Sequence, residues 1–503
     1  MATTVNETAW NLRSLKAHCF FALLAVLILI PVGCSAGEVH VRGYVTEVSS
    51  PTKFQVDSYN VTTGPKVKVV VEKDDPQDSA VDDPEKIRVG TDLEVFGEIN
   101  ERTGELKADF IRIFLEDTRR LKGTALLTKP PALEKTEKGW QGTLFADGQR
   151  VVVTEDTPVT VKFTGAERKQ AWRDRAKAAN EAAEAAIPVQ SRPLTSADVL
   201  SMDNFVRYVG TRQKDGTILA QKVEFQSAEP DPSEAKMWRT LTPKVVKEPD
   251  YAGSIPGKLK VGRQKYKLFP SKEAQDYLSA FGQKLIPAHQ KELPDTSPLK
   301  IPFKFYLVQD KEANAVAYAN GVIIVYSGSF DTWENEAQIA YVVSHEISHC
   351  IEKHMWRMSQ YHKNALRALE IGGLAASAFG VPGVLTAANL SGAGIQASYS
   401  RSLENQADRV ALQEMLNAGY DIRQAPQACK AYESKHPTSG PGTWDSHDTF
   451  MTRRSFLLVE IHNNYADTDY SKLVTDSPDF KRIAGIVNGL TNTKKLKPGS
   501  QHY

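Results

Sequence analysis

The chain has 503 residues, with 62 Lys and Arg against 61 Asp and Glu, a formal net charge of +1, and 41% hydrophobic residues. Charge that is balanced and well mixed gives no electrostatic case for nucleic acid as a partner. The hydrophobic share is ample for folded cores but too low for a protein that crosses a membrane many times, and the length fits about three domains.

The elements begin with a leader. Arg13 and Lys16 precede an uncharged stretch from Cys19 to Gly33 that ends at Cys34. A basic start and a short apolar run form the pattern of an export signal, and the run is short for a membrane span. Val32-Gly33-Cys34-Ser35 resembles a bacterial lipoprotein box, with Pro31 where leucine is usual. Residues 1–34 are therefore expected to be a signal peptide and Cys34 to carry lipid, with ordinary cleavage nearby or an uncleaved anchor as alternatives. The expected location is the cell envelope, on the periplasmic side, held at the membrane as a lipoprotein. Of the other cysteines, Cys350 and Cys429 are too few for a disulfide framework, and a buried thiol is the plainer reading of Cys350.

Residues 35–118 and 119–228 read as two β modules. His40-Val-Arg-Gly-Tyr-Val, Lys66-Val-Lys-Val-Val-Val and Leu93-Glu-Val-Phe-Gly97 alternate as strands do. Leu93 to Ile111, with Gly97 and Gly104, is echoed by Val206 to Val223, with Gly210 and Gly216; Val41-Arg-Gly43 is echoed by Leu121-Lys-Gly123. Each copy predicts a strand, a glycine hairpin and a second strand, which suits two small antiparallel barrels of OB-like type. The second carries an insertion, 166–186, whose Ala, Glu, Lys and Arg content predicts an exposed helix. With no basic stripe and an acidic stretch from Asp74 to Asp83, the modules are expected to be spacers or to bind an envelope protein partner. A proline-rich linker, 229–250, separates them from a third region, 251–503.

That region holds His345-Glu346-Ile347-Ser348-His349, an H-E-x-x-H pattern inside an apolar run without proline or glycine. On a helix, residues four apart share a face, so His345 and His349 can grip one metal ion while Glu346 takes a proton from water. Asp331 or Thr332 could cap this helix. His354 follows His349 by five positions and, on an ideal helix, points away from the histidine face, so it is expected to be structural or solvent-facing. The uncharged stretch 371–390, broken at Pro382-Gly383, could cover the active site or touch membrane; each half is too short to cross alone. Further on, Glu404 and Asp408 lie one helical turn apart. A catalytic zinc takes three protein ligands and keeps a fourth position open, so Glu404 could complete the set and Asp408 could orient a ligand. The same pair could equally form an ordinary acidic helix face, paired to Arg401 or Arg409.

Taken in order, Asn314-Ala-Val-Ala through Gly321 to Gly328, the zinc-helix pattern, Ser400-Arg-Ser-Leu-Glu404-Asn-Gln-Ala-Asp408, Ala418-Gly-Tyr-Asp421, and Ser446-His447-Asp448 with Arg453 resemble the zinc metallopeptidases that include the heat-shock protease HtpX and the CAAX prenyl protease. Val316 and Asp448 depart from that pattern, where phenylalanine and proline are usual. The resemblance implies an α+β multidomain chain ending in a mainly helical zincin-like (gluzincin) metallopeptidase domain. It implies one Zn2+ per chain on His345, His349 and Glu404, with Glu346 and Asp408 catalytic. His447 and Arg453 stand where a regulatory or fourth-site group lies, and His447 could also be a surface histidine. Asn314 and the strand Val322, Ile323, Ile324, Val325 could take substrate backbone as an added strand, a mode that favours unfolded polypeptides. The expected function is zinc-dependent endopeptidase action on unfolded or misassembled envelope proteins. The alternative is an envelope chaperone or scaffold lipoprotein with structural zinc, binding through the β modules; an intact Glu346 favours the enzyme.

Overall fold

The computed structural model describes residues 38–493 apart from 73–86, 115–120, 174–190, 196–203, 361–400, 436–449 and a few shorter gaps. The leader with Cys34, most of the 166–186 insertion, the 371–390 stretch and His447 lie outside the described residues.

The first module closes as a five-stranded barrel in the order β1-β2-β3-β5-β4, built from β1 (Glu38–Ser50), β2 (Lys53–Val56), β3 (Tyr59–Glu72), β4 (Asp92–Asn100) and β5 (Glu105–Phe114). Val45, Val56, Val61, Leu93, Val95, Leu106 and Ile111 fill it. This is the OB-like arrangement expected, and it departs from the antiparallel pattern in that β3 and β5 run parallel. The register carries a bulge. Phe96 faces Phe110 and Gly97 faces Ala108, so Asp109 is an extra residue. One extra residue shifts a period-two pattern by one, and β5 accordingly buries Leu106 and Ala108, then Ile111 and Ile113. Gly97 has to be glycine, because a Cβ there would lie 2.0 Å from the Lys107 carbonyl oxygen.

The second module repeats this circuit with β6 (Leu121–Leu126), β7 (Ala132–Lys135), β8 (Trp140–Ala146), β9 (Gln149–Val153), β10 (Val159–Lys162), β11 (Ser191–Pro193), β12 (Asn204–Arg212) and β13 (Ile218–Ser227). β6 pairs β12, β12 pairs β13, β13 runs parallel to β9, and β9 pairs β8. The same bulge recurs: Val209 faces Lys222, Gly210 faces Ala220, and burial switches from Ile218 and Ala220 to Val223 and Phe225. Where β1 and β2 pair in the first barrel, among the described residues β6 and β8 meet only through an isolated bridge, Leu127 to Ala146. The second barrel therefore has an open seam along β6.

The stretch expected to be a linker is folded. Pro232 opens helix α1 (Pro232–Thr240), where proline suits the first turn, and the Asp231 carboxylate accepts from the Ser233 and Glu234 amides. Buried Glu234 pairs with Lys353 at 2.8 Å, which straps α1 to the third region.

In that region β14 (Lys244–Lys247), β15 (Lys258–Val261) and β16 (Gln264–Tyr266) form a small antiparallel sheet. β17 (Lys304–Val308), β18 (Ala315–Ala317) and β19 (Val322–Tyr326) form another, in the order β17-β19-β18. Helices α2 (Lys272–Leu285), α3 (Glu336–Ile351), α4 (Arg401–Asn417), α5 (Gln424–Lys435), α6 (Phe450–Asn464) and α7 (Pro478–Thr493) complete the body. All of α3 is buried, as its apolar run predicts for a central helix. Its cap is Asn335, which accepts from the Gln338 amide, rather than Asp331 or Thr332.

Neither β module stands off as a spacer. The first lies on α6, where the Tyr44 and Phe456 rings are 6.2 Å apart. The second reaches α4 through its β8–β9 turn: Asp147 and Gly148 both have positive φ (60° and 65°), and the Asp147 carboxylate is 2.5 Å from Arg409.

Candidate metal centre

Two helices build the site. α3 places His345 and His349 one turn apart on one face, with their Nε2 atoms 2.9 Å from each other. α4 runs against α3 and delivers Glu404, whose carboxylate is 3.3 Å from His345 Nε2 and 3.7 Å from His349 Nε2. These three residues, all buried, form the metal-competent cluster among the described residues, with ligand atoms within 4.8 Å of one another. A tetrahedral zinc with bonds of ~2.0–2.1 Å would hold its ligand atoms roughly 3.4 Å apart, and the three observed spacings straddle that value.

The electrostatics also suit a cation. Glu346, Glu404 and Asp408 bring three buried carboxylates, and Arg453 brings one positive charge. A divalent ion would balance the remainder. Burial and Arg453 both oppose charge on His345, yet hydrogen bonds to Asp408 and Glu404 outweigh them and raise its pKa. The same preference would favour a metal ion between the rings.

Asp408, one turn beyond Glu404, lies 2.9 Å from His345 Nδ1. A carboxylate there holds the proton on Nδ1 and turns the Nε2 lone pair toward Glu404 and His349. Asp408 also accepts from Tyr341 at 2.7 Å and from Arg453 at 2.6 and 3.1 Å. Burial alone would raise its pKa, but the Arg453 guanidinium and the His345 ring hold it below the usual carboxylate range. The two residues are therefore not a solvated acidic face, and Arg409 turns away from them to Asp147 and Glu460.

Glu346 is buried on α3, about 60° around the helix axis from His349. Arg453, fully buried on α6, touches Asp408 and Tyr341 and lies 3.0 Å from His345 Nδ1. Asn314 is buried just ahead of β18, its carbonyl accepting from Tyr326 N–H and Ser329 Oγ.

Two expectations need correction. The strand Val322, Ile323, Ile324, Val325 cannot take an added chain, because β19 is the central strand, paired on both sides by β17 and β18. The edge toward which a chain could add is β18. Tyr326 donates to Asn314 O and Tyr318 to Val322 O. The even-numbered residues thus face β19, while Ala315 and Ala317, both buried, turn their N–H and C=O to the side away from it. His354 is buried, as its structural reading expects, but the second correction is to its direction, for it does not point away from the histidine face. α3 ends at Ile351, and Lys353 turns the chain with φ 54°. The ideal-helix projection fails there, and His354 folds back with its Nδ1 2.8 Å from His349 Nδ1. Burial drives its pKa down to about 3, which keeps the ring neutral.

Sequence reasoning missed Tyr341, although it sits one turn before His345 on the same helix face and the periodicity could have flagged it. It also missed Gln406, which nothing in the local pattern marks.

Residues 272–440 match the family model described as Peptidase family M48. The beta-barrel assembly-enhancing protease of Escherichia coli (strain K12) is 30% identical over 172 residues, 32% of each chain. That of Yersinia pestis is 28% identical over 156 residues, 30% of this chain and 31% of the relative. The mitochondrial metalloendopeptidase OMA1 of Arabidopsis thaliana is 28% identical over 195 residues, 38% of each. The matched part thus spans about a third of the length of these relatives. The family model covers the stretch that carries the His345, His349 and Glu404 cluster, and that part of the chain is similar to the metallopeptidases of family M48.

Proposed function

We propose that the chain is a zinc-dependent endopeptidase of the cell envelope that cuts unfolded or misassembled polypeptides. The observation that carries this reading is the buried convergence of two imidazoles and one carboxylate beside Glu346. His345, His349 and Glu404 would hold one zinc ion per chain. When bound, zinc supplies polarisation of the scissile carbonyl and lowers the pKa of a water molecule toward about 7. Glu346 accepts the proton of the attacking water and passes it to the leaving nitrogen as the C–N bond breaks. Asp408 holds His345 in the ligating tautomer, and Arg453 offsets the charge of Asp408 and Glu404.

An extended substrate adds along β18 on the side away from β19, hydrogen-bonding to Ala315 and Ala317 once the groups that bury them give way. Folded proteins keep their strand edges occupied, so this mode selects chains that have lost or not yet gained structure. The envelope location rests on the leader pattern with Cys34 as lipid site, and on relatives whose names assign them to β-barrel assembly. In this reading His447 is a regulatory or fourth-site group, and the β modules can take an envelope partner on the faces turned away from α4 and α6.

Glu346→Gln tests the mechanism. The variant should retain zinc and lose casein cleavage by at least ~100-fold, the usual worth of a positioned general base. Cleavage surviving at the wild-type rate would show that Glu346 is not the base. A wild-type protein that never cleaves but still suppresses aggregation would favour the chaperone reading.

A further inference from the structure

The open seam of the second barrel is filled by side chains of the catalytic region. Along β6, Leu127 N–H bonds to Asn204 O, so the odd-numbered residues face β12 and Thr124 and Leu126 face the seam. Glu352 accepts the Leu126 N–H at 3.1 Å. Gln406 Nε2 donates to the Thr124 carbonyl at 3.1 Å and to Glu352 at 3.2 Å.

A backbone carbonyl can only accept, so Thr124 fixes the orientation of the Gln406 amide. Its Oε1 then faces His354 Nε2 at 3.0 Å and Arg357 Nη1 at 3.1 Å, and both must donate. His354 therefore carries its proton on Nε2. His349 turns its Nε2 to His345 and Glu404, so the proton of this ring falls on Nδ1, and the facing His354 Nδ1 accepts it at 2.8 Å. A proton on Nδ1 leaves the Nε2 lone pair of His349 pointing toward His345 Nε2, 2.9 Å away, and Glu404. The chain of bonds has one consistent polarity from β6 to the metal cluster.

We infer that Gln406 and His354 are positioning residues that transmit the demand of a β-module carbonyl, Thr124 O, to His349 and so fix the tautomer in which it binds metal. The inference rests on the reading of His345, His349 and Glu404 as ligands. The second β module is on this account a structural part of the metal site. His345 is oriented by a carboxylate, whereas His349 is oriented by a neutral relay.

The test is zinc affinity of the full chain by competition with a fluorescent chelator, with apo stability measured alongside. His354→Leu and Gln406→Met, which keep volume but lose the bonds, should weaken zinc binding about 10–100-fold, the usual effect of losing a group that orients a ligand. His354→Gln, an acceptor and donor in one side chain, should recover most of that loss. Variants whose apo forms unfold like wild type but whose zinc affinity stays within about twofold of it would overturn the relay. If His354→Leu does not fold, the isosteric Gln406→Met decides on the same criterion. Wild-type protein that binds no zinc would overturn the ligand reading, and the relay with it.

Discussion

The contact between the second module and α4 can be dissected at Asp147 and Arg409. Arg409 Nη2 lies 2.5 Å from Asp147 Oδ2 and Nε lies 3.1 Å from Oδ1, a bidentate pair with side chains only 14% and 7% exposed. Glu460 lies 3.8 Å from the same guanidinium. Arg409→Met leaves Asp147 and Glu460 as buried acids facing each other's charge. Removing one partner of a buried pair costs about 3–5 kcal/mol, and the guanidinium also stacks 5.5 Å from the Phe456 ring centre, worth ~0.5–1 kcal/mol more. Burial already leaves Asp147 above the usual carboxylate range, so it can take up a proton, which limits the loss to the lower part of that span. Asp147→Asn is the matching change, since asparagine tolerates the φ of 60° at this turn. It should cost about 1.5–3 kcal/mol, the worth of hydrogen bonds to a charged group. Urea denaturation of wild type, both single variants and the double variant closes a thermodynamic cycle. The double variant should cost less than the two singles together by about 2 kcal/mol. Additivity within about 0.5 kcal/mol would refute the idea that this pair holds the module to α4.

Two further outcomes follow from the fold. Burial pushes Glu352 up to about 8 from 4.5, so between those values the folded protein holds a proton that the unfolded chain releases. Stability is then whole below about pH 4 and falls by a few kcal/mol as pH rises to about 8; urea midpoints from pH 5 to 8 should show the fall, and Glu352→Gln should lessen it, whereas equal slopes would exclude Glu352 as its source. Gly97→Ala should destabilise the first barrel by ~2 kcal/mol or more through its clash with the Lys107 carbonyl. Gly64→Ala, with open space at its Cβ, should be near neutral, and similar thermal midpoints for the two would contradict the bulge geometry.

The helix around His345, Glu346 and His349 was legible because its periodicity and metal chemistry are local. Glu404 with Asp408 was legible as a pair, but only α4 lying against α3 sets the two beside His345 and His349 rather than on a solvated face. The repeat at Gly97 and Gly210 was legible, and its cause, an extra residue shifting the alternation, emerged only from the register. Strand order was not legible: β18 and β19 each read as a strand, and nothing local says which takes the edge. The direction of His354 was not legible because a lysine with positive φ ends the helix, a position that sequence patterns assign to glycine or asparagine. The prolines of 229–250 suggested a linker, yet Pro232 begins a helix because Asp231 caps it. The contacts of Asp147 with Arg409 and Gln406 with Thr124 join residues 262 and 282 positions apart, beyond the reach of any local signal.

The central claim, that two imidazoles and one carboxylate hold a catalytic zinc, is tested most directly by zinc-edge X-ray absorption fine structure on the full chain loaded with equimolar zinc. The account predicts nitrogen and oxygen neighbours at about 2.0–2.1 Å, with the outer-shell pattern of two imidazoles and no sulfur. A sulfur shell near ~2.3 Å, or failure to retain zinc after desalting, would contradict it.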